Sequence, residues 1–233
     1  MSSRFELVLV DKYGSLVDAA LRAGWTGVQL LGYTDVVEVP RTRGTAFVSP
    51  ANSLGFMDGG IDFVLSRVMF PGVEARVKAS FARHGSISRL GRPFLPVGSA
   101  TVVPAYDDAS LGVFLIAAPT MWLPQDVRGT RNAYHAMLAV LNAAAAHPEI
   151  RTVVVPGLCT RCGMMPADEA IAQMRDAHQT FGKSLIKTQR FVPSPSLGET
   201  LRSLRQEEID EEQPKLYQNT EFKHIDPAMI HHV

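Results

Sequence analysis

Short apolar, β-rich runs alternate with helix-spaced segments along most of this chain, and that alternation restricts the fold more than any other feature. Phe5–Val10, Val28–Leu31, Val36–Val39, Ala46–Val48, Ala100–Val103, Val113–Ala117 and Thr152–Gly157 read as β-rich runs. Ser15–Arg22, Ile61–Phe70, Val73–His84, Thr130–His147 and Ala167–Phe181 have helical spacing. The run TVVVPG (Thr152–Gly157) is apolar without a break, as a strand covered on both faces must be. Thr130–His147 carries one apolar stripe (Ala133, Met137, Val140, Leu141, Ala144), with Thr130 as its candidate cap. Strands alternating with helices of this length predict an α/β sandwich around a mostly parallel or mixed sheet. In such sheets ligands sit beyond the carboxyl ends of strands, where loops lead into helices. Two loops qualify: FVSPANSLGFMDGGID (Phe47–Asp62) and PGLCTRCGMMP (Pro156–Pro166).

Composition narrows the function classes. At 233 residues, 46% hydrophobic and 20% charged, the chain can bury a proper core and reads as a globular, soluble protein. Its formal net charge of zero supplies no field for a polyanion, so no nucleic-acid partner is expected. No apolar stretch approaches the ~20 residues of a membrane helix, and no membrane association is expected. The opening MSSRFELVLVDKY meets charge too soon for a secretory signal. Two cysteines make no disulfide framework, so the expected setting is intracellular and reducing. From Pro193 the chain turns polar, with an acidic run from Glu207 to Glu212. The domain reading is therefore one domain over residues 1–190 and a polar C-terminal extension over 191–233, partly disordered or holding one helix (Leu197–Glu208).

Several motifs imitate chemistry. Gly182-Lys183-Ser184 has the order of a phosphate-binding loop, yet a helix runs into it where a strand is required, so Gly182 reads as a helix-terminal glycine. Cys159-Thr160-Arg161-Cys162 has redox spacing, but Gly163 to Pro166 separate it from the following helix, and zinc would need two further ligands. No metal or other cofactor is expected. His84, His135, His147 and His178 are scattered, and no serine stands in a G-x-S-x-G elbow.

Phe47–Asp62 is different. A strand, an asparagine, a glycine-rich turn and a helix start make a good cradle for an anion, because backbone N–H groups of the turn can point at phosphate oxygens. Asn52 can donate and accept, which suits a pair of sugar hydroxyls, and Asp62 can orient or deprotonate a water. A plain tight turn, with Asp62 as a first-turn acid, is the competing reading.

SPANSLGFMDGGID resembles the signature loop of the macro domain, the ADP-ribose-binding α/β/α module. VVVPGLCTRCGMMPADEAIAQM is similar to that family's second phosphate loop and following helix, and Phe114–Leu141 to the strand, APTM turn and long helix of a macro-domain-like subgroup. The resemblance runs from about Phe5 to Gly182 and implies a three-layer α/β/α sandwich with a central mixed sheet. It implies Asp35 as the acceptor for the adenine amine, Asn52 as the distal-ribose asparagine and Asp62 as the catalytic aspartate. It implies Gly59, Gly60 and Ile61 as the first diphosphate loop, and Thr160, Arg161, Cys162 and Gly163 as the second. Ser49, in place of the first asparagine of the usual NAAN, is implied as a further ligand contact, and Cys159, Arg161 and Met164 stand where glycines are usual. The implied ligand is ADP-ribose or an ADP-ribosylated protein, and the implied reaction is hydrolysis of an ADP-ribosyl ester or of ADP-ribose 1″-phosphate. A non-catalytic ADP-ribose or nucleotide reader, and a degenerate macro-fold interaction protein, are the alternatives.

Overall fold

The computed structural model describes residues 5–189. The chain divides into two compact units, Met1–Leu185 and Ile186–Val233. The first holds the fold; of the second, only the end of one helix lies within the described residues. The expected helix over Leu197–Glu208 lies outside them.

Six strands form the main sheet: β1 (Glu6–Asp11), β2 (Gln29–Gly32), β3 (Thr45–Ser49), β6 (Thr101–Pro104), β7 (Phe114–Ala117) and β8 (Thr152–Val155). Their order is β2-β1-β8-β3-β7-β6, and every pairing is parallel except the antiparallel β6–β7 edge. Two short strands, β4 (Ser86–Ile87) and β5 (Pro93–Phe94), make a separate hairpin. Helices α1 (Ser15–Arg22), α4 (Asn132–Ala146) and α5 (Ala167–Gln189) cover one face. A short α2 (Gly60–Phe63) and α3 (Val73–His84) cover the other. The chain is thus a three-layer sandwich around a mixed sheet, as expected.

Strand alternation explains why the apolar runs are continuous. Leu7, Leu9, Val153 and Val155 join one core, while Val8, Val10 and Val154 join the other. Each strand needs apolar side chains on both sides because helices cover both sides. Parallel pairing also gathers the carboxyl ends of β2, β1, β8, β3 and β7 along one edge.

Four local readings are corrected. Val36–Val39 was expected to be β-rich, but Val36–Glu38 forms a 3-10 turn, because the Asp35 carboxylate accepts from the N–H of Val37 and starts a helical bend. The segment after Asp62 is not one regular α-helix. Past Phe63 it widens into a π-helical stretch over Val64–Met69, a form enriched at functional sites. The Ser66 hydroxyl in that stretch donates to the Met57 carbonyl at 2.7 Å and ties it to the glycine turn. Gly182 does not end a helix; α5 continues through it to Gln189, which also leaves Gly182-Lys183-Ser184 without a loop. Arg131, not Thr130, holds the N-cap position of α4, without a side-chain cap; Thr130 lies one residue earlier, its hydroxyl donating to the Val127 carbonyl and accepting from the N–H of Asn132.

Candidate functional site

β3 delivers the first loop. Ser49 ends the strand, fully buried, paired with Ala117 across the sheet. Its hydroxyl donates to Asp62 Oδ1 at 2.6 Å, a length typical of a hydroxyl on a carboxylate. Asp62 is half-buried, and its carboxyl is set against the interior. Burial pushes it up to about 7; the Ser49 hydroxyl pulls the other way, and the nearby Asp58 charge raises it further. No cation or imidazole pairs with Asp62 among the described residues, and the Ser49 hydroxyl is the one protein donor to its carboxyl there. A carboxyl pushed up to about 7, with one oxygen held by a hydroxyl and no cation beside it, is equipped to act as a general base.

Asn52 has a different setting. Its side-chain carbonyl accepts from the N–H groups of Leu54 and Phe56, and its amide donates to the Phe56 carbonyl at 3.0 Å. The side chain therefore builds its own loop and keeps one amide proton for anything outside it. Past this turn, Gly59 and Gly60 are exposed, and Gly60 has φ 55, a conformation that favours glycine. The N–H groups of Gly59, Gly60 and Ile61 donate to no protein acceptor among the described residues.

β8 delivers the second loop. Cys159, Arg161 and Met164 have φ of 60, 40 and 56, so the backbone keeps a glycine-like course while carrying side chains. A non-glycine residue there costs about 1–2 kcal/mol. Arg161 recovers part of this by lying over the Tyr13 ring, 4.4 Å from its centroid, worth about 0.5–1 kcal/mol at an exposed site. Exposed Met164 has no such recompense. Met164→Gly is expected to stabilise the fold by about 1 kcal/mol, read as a Tm rise of about 2–4 °C in thermal unfolding. Gly163 has no freedom to change: a Cβ would lie 2.8 Å from Val127 Cγ2 and 3.1 Å from Met121 Cε. The N–H groups of Thr160, Arg161 and Cys162 are unpaired among the described residues, like those of the first loop.

The cysteines do not form a reactive pair. Cys159 is buried, and burial pushes its thiol up to about 12, assisted by the charge of Glu169, so it stays protonated; Cys162 is exposed. Among the described residues, no cluster of three or more His, Cys, Asp or Glu side chains could hold a metal ion.

The segment after β7 braces both loops, and sequence reasoning assigned it no role. Ser53 N–H donates to the Met121 carbonyl at 2.8 Å, and the Thr120 N–H to Ala51 at 3.0 Å. On its other side Met121 packs near Gly163. At the far end of the edge, Asp35 accepts from Lys12 Nζ at 2.7 Å, which holds its carboxyl below the usual range. A carboxylate has lone pairs left after these bonds. Lys12, Tyr13 and exposed Tyr33 were also missed, although Lys12 and Tyr13 follow β1 directly and the strand-end rule covers them. Asp35 and Asn52 follow strands three places apart in the sheet, or roughly 14 Å. The second loop follows β8, between them.

The sequence model of the Macro domain matches residues 48–174, more than half of the chain. This protein belongs to the macro-domain family. Macro domains bind ADP-ribose, and the matched span takes in the first loop from Val48 onward and the whole of the second. Among solved structures, this macro domain is similar to the macrodomain of Mycobacterium tuberculosis DarG, with 17% identity, a TM-score of 0.48, and coverage of 63% of this chain and 87% of that one. It is also similar to the Oceanobacillus iheyensis macrodomain with ADP, at 12% identity and a TM-score of 0.30, covering 64% of this chain and 88% of that one. A comparison with curated proteins found no match. Among the described residues, no helix of this macro domain is long and apolar enough to cross a membrane.

Proposed function

We propose that this macro domain binds ADP-ribose along the carboxyl edge of its sheet and hydrolyses an ADP-ribosyl ester, with Asp62 as general base. The observation that carries the reading is Asp62 itself: one oxygen held by Ser49, no cation on its carboxyl among the described residues, and burial that pushes it up to about 7. The row of loops supports the binding half. Asp35 offers an acceptor at one end for an adenine amine. Unpaired N–H groups of Gly59, Gly60 and Ile61, and of Thr160, Arg161 and Cys162, suit the diphosphate, with the Arg161 guanidinium nearby; Gly163 lets the second loop pack. The distal ribose then falls beside the remaining Asn52 amide proton and Asp62.

The same inventory favours an ester. Asp62 Oδ2 takes a proton from a water, whose oxygen bonds to the anomeric carbon. The acidic side chain that carried the ADP-ribose leaves as a carboxylate with the bonding pair. Such a leaving group needs no general acid, and among the described residues Asp62 has no imidazole or cationic partner to supply one. Binding energy from adenine and diphosphate aligns the reacting bond.

One observation favours a second reading, recognition without turnover: Asn52 is committed to its own turn and leaves little to grip a ribose. The test is hydrolysis of a glutamate-linked ADP-ribosyl peptide by the wild-type protein. Release of free ADP-ribose with an acidic limb near pH 7 is the expected result. Tight binding of the peptide with no release leaves the reader.

A further inference from the structure

Ser49 stands where the family pattern has an asparagine, and the resemblance gives it a place among the ligand contacts. Its surroundings give it another task. We propose that Ser49 is a positioning residue that acts through Asp62, fixing Oδ1 so that Oδ2 faces the reacting water, and that it does not contact the ligand. The inference rests on the reading of Asp62 as the base.

The backbone at Ser49 is locked. It pairs with Ala117 in the sheet register, and its carbonyl accepts from the Ala118 N–H at 3.0 Å. The carbonyl of the next residue, Pro50, accepts from the Thr120 hydroxyl at 3.0 Å. Only the side-chain rotamer can move. A hydroxyl has one proton to give, and at 2.6 Å it is given to Asp62. With 0% of its surface exposed, Ser49 also has no open face toward a ligand.

The groups acting on Asp62 explain why the hydroxyl is needed. Two influences oppose its ionised form: burial, and the Asp58 carboxylate from the glycine turn. Ser49, from β3, is the one protein donor to its carboxyl among the described residues; α2, the π-helical stretch and the segment after β7 supply no cation to it. Without the hydroxyl, the carboxyl would hold its proton to higher pH and lose its fixed orientation, two losses for a base.

The test combines a carbon-13 carboxyl titration of Asp62 by NMR, the pH profile of kcat for ester hydrolysis, and ADP-ribose calorimetry, each on wild type, Ser49→Ala and Ser49→Thr. Ser49→Ala is expected to raise the Asp62 midpoint by about one pH unit and to carry the acidic limb of kcat with it. ADP-ribose affinity should stay within about twofold. Ser49→Thr, which keeps the hydroxyl, should return the midpoint toward wild type. An Asp62 midpoint unmoved in Ser49→Ala overturns the proposal. So does an ADP-ribose affinity reduced by about tenfold or more, which would make Ser49 a ligand contact. The NMR titration needs no turnover. A wild-type protein that hydrolyses nothing would therefore count against Asp62 as base, while the midpoint still decides whether Ser49 acts on it.

Discussion

Asp62→Asn is expected to abolish ester hydrolysis, keep ADP-ribose binding, and make the protein more stable above pH 7. The first effect follows from removing the base, a loss of about 10²–10⁴ in kcat. Binding should survive because the proposed adenine and diphosphate contacts are elsewhere. The third effect comes from the cost of burying a charge. The unfolded carboxyl titrates at 3.8 and the folded one at about 7. Between those values the folded state holds a proton that the unfolded state has released, so stability falls as pH rises from about 4 to about 7. Above that window the whole penalty persists, up to about 4 kcal/mol for a displacement of this size. Asparagine carries no such penalty, and its amide oxygen can still accept from Ser49. The variant's advantage should therefore grow across this window and level off above it, as urea unfolding at several pH values would show. Equal stability of the two proteins at pH 8 would mean that the carboxyl is better solvated than its setting indicates.

Gly59→Val is expected to do the reverse: stability unchanged, binding destroyed. A Cβ at Gly59 meets no atom within 4 Å, and its φ of −137 is open to any residue. Nothing in the fold asks for glycine there. Gly163 is the contrast, since its own neighbours would collide with a Cβ. If Gly59 is there for close approach of a diphosphate, a branched side chain should obstruct the N–H groups beside it. ADP-ribose affinity should then fall by about a hundredfold or more, with Tm shifted by no more than about 2 °C. Retained affinity would make Phe47–Asp62 a tight turn and nothing else.

The sheet and its two cores were legible because each strand needed apolar residues on both sides, and Leu7 to Val10 and Val153 to Val155 state that requirement directly in sequence. Helix limits were legible where a glycine or a cap marks them, as at Val73–His84. Val36–Val39 misled because β-branched composition was outvoted by one carboxylate, Asp35, on the N–H of Val37. Gly182 misled because a single glycine costs a long helix only about 1 kcal/mol, which α5 absorbs. In the site, the spacing of Asn52 and Asp62 identified the loop without identifying their partners. The Ser49–Asp62 bond joins a strand end to a helix start thirteen positions away in the chain. The Arg161–Tyr13 stack joins loops from opposite ends of the sequence that become neighbours through the β1–β8 pairing. Neither is a property of a local pattern.

Calorimetric titration of the wild-type protein with ADP-ribose tests the central claim most directly. Saturable binding in the micromolar range, absent in Gly59→Val, is the result this account predicts. No heat of binding at millimolar ADP-ribose, from protein shown to be folded, would contradict it, and would mean that Cys159, Arg161 and Met164 have closed the cradle whose backbone they preserve.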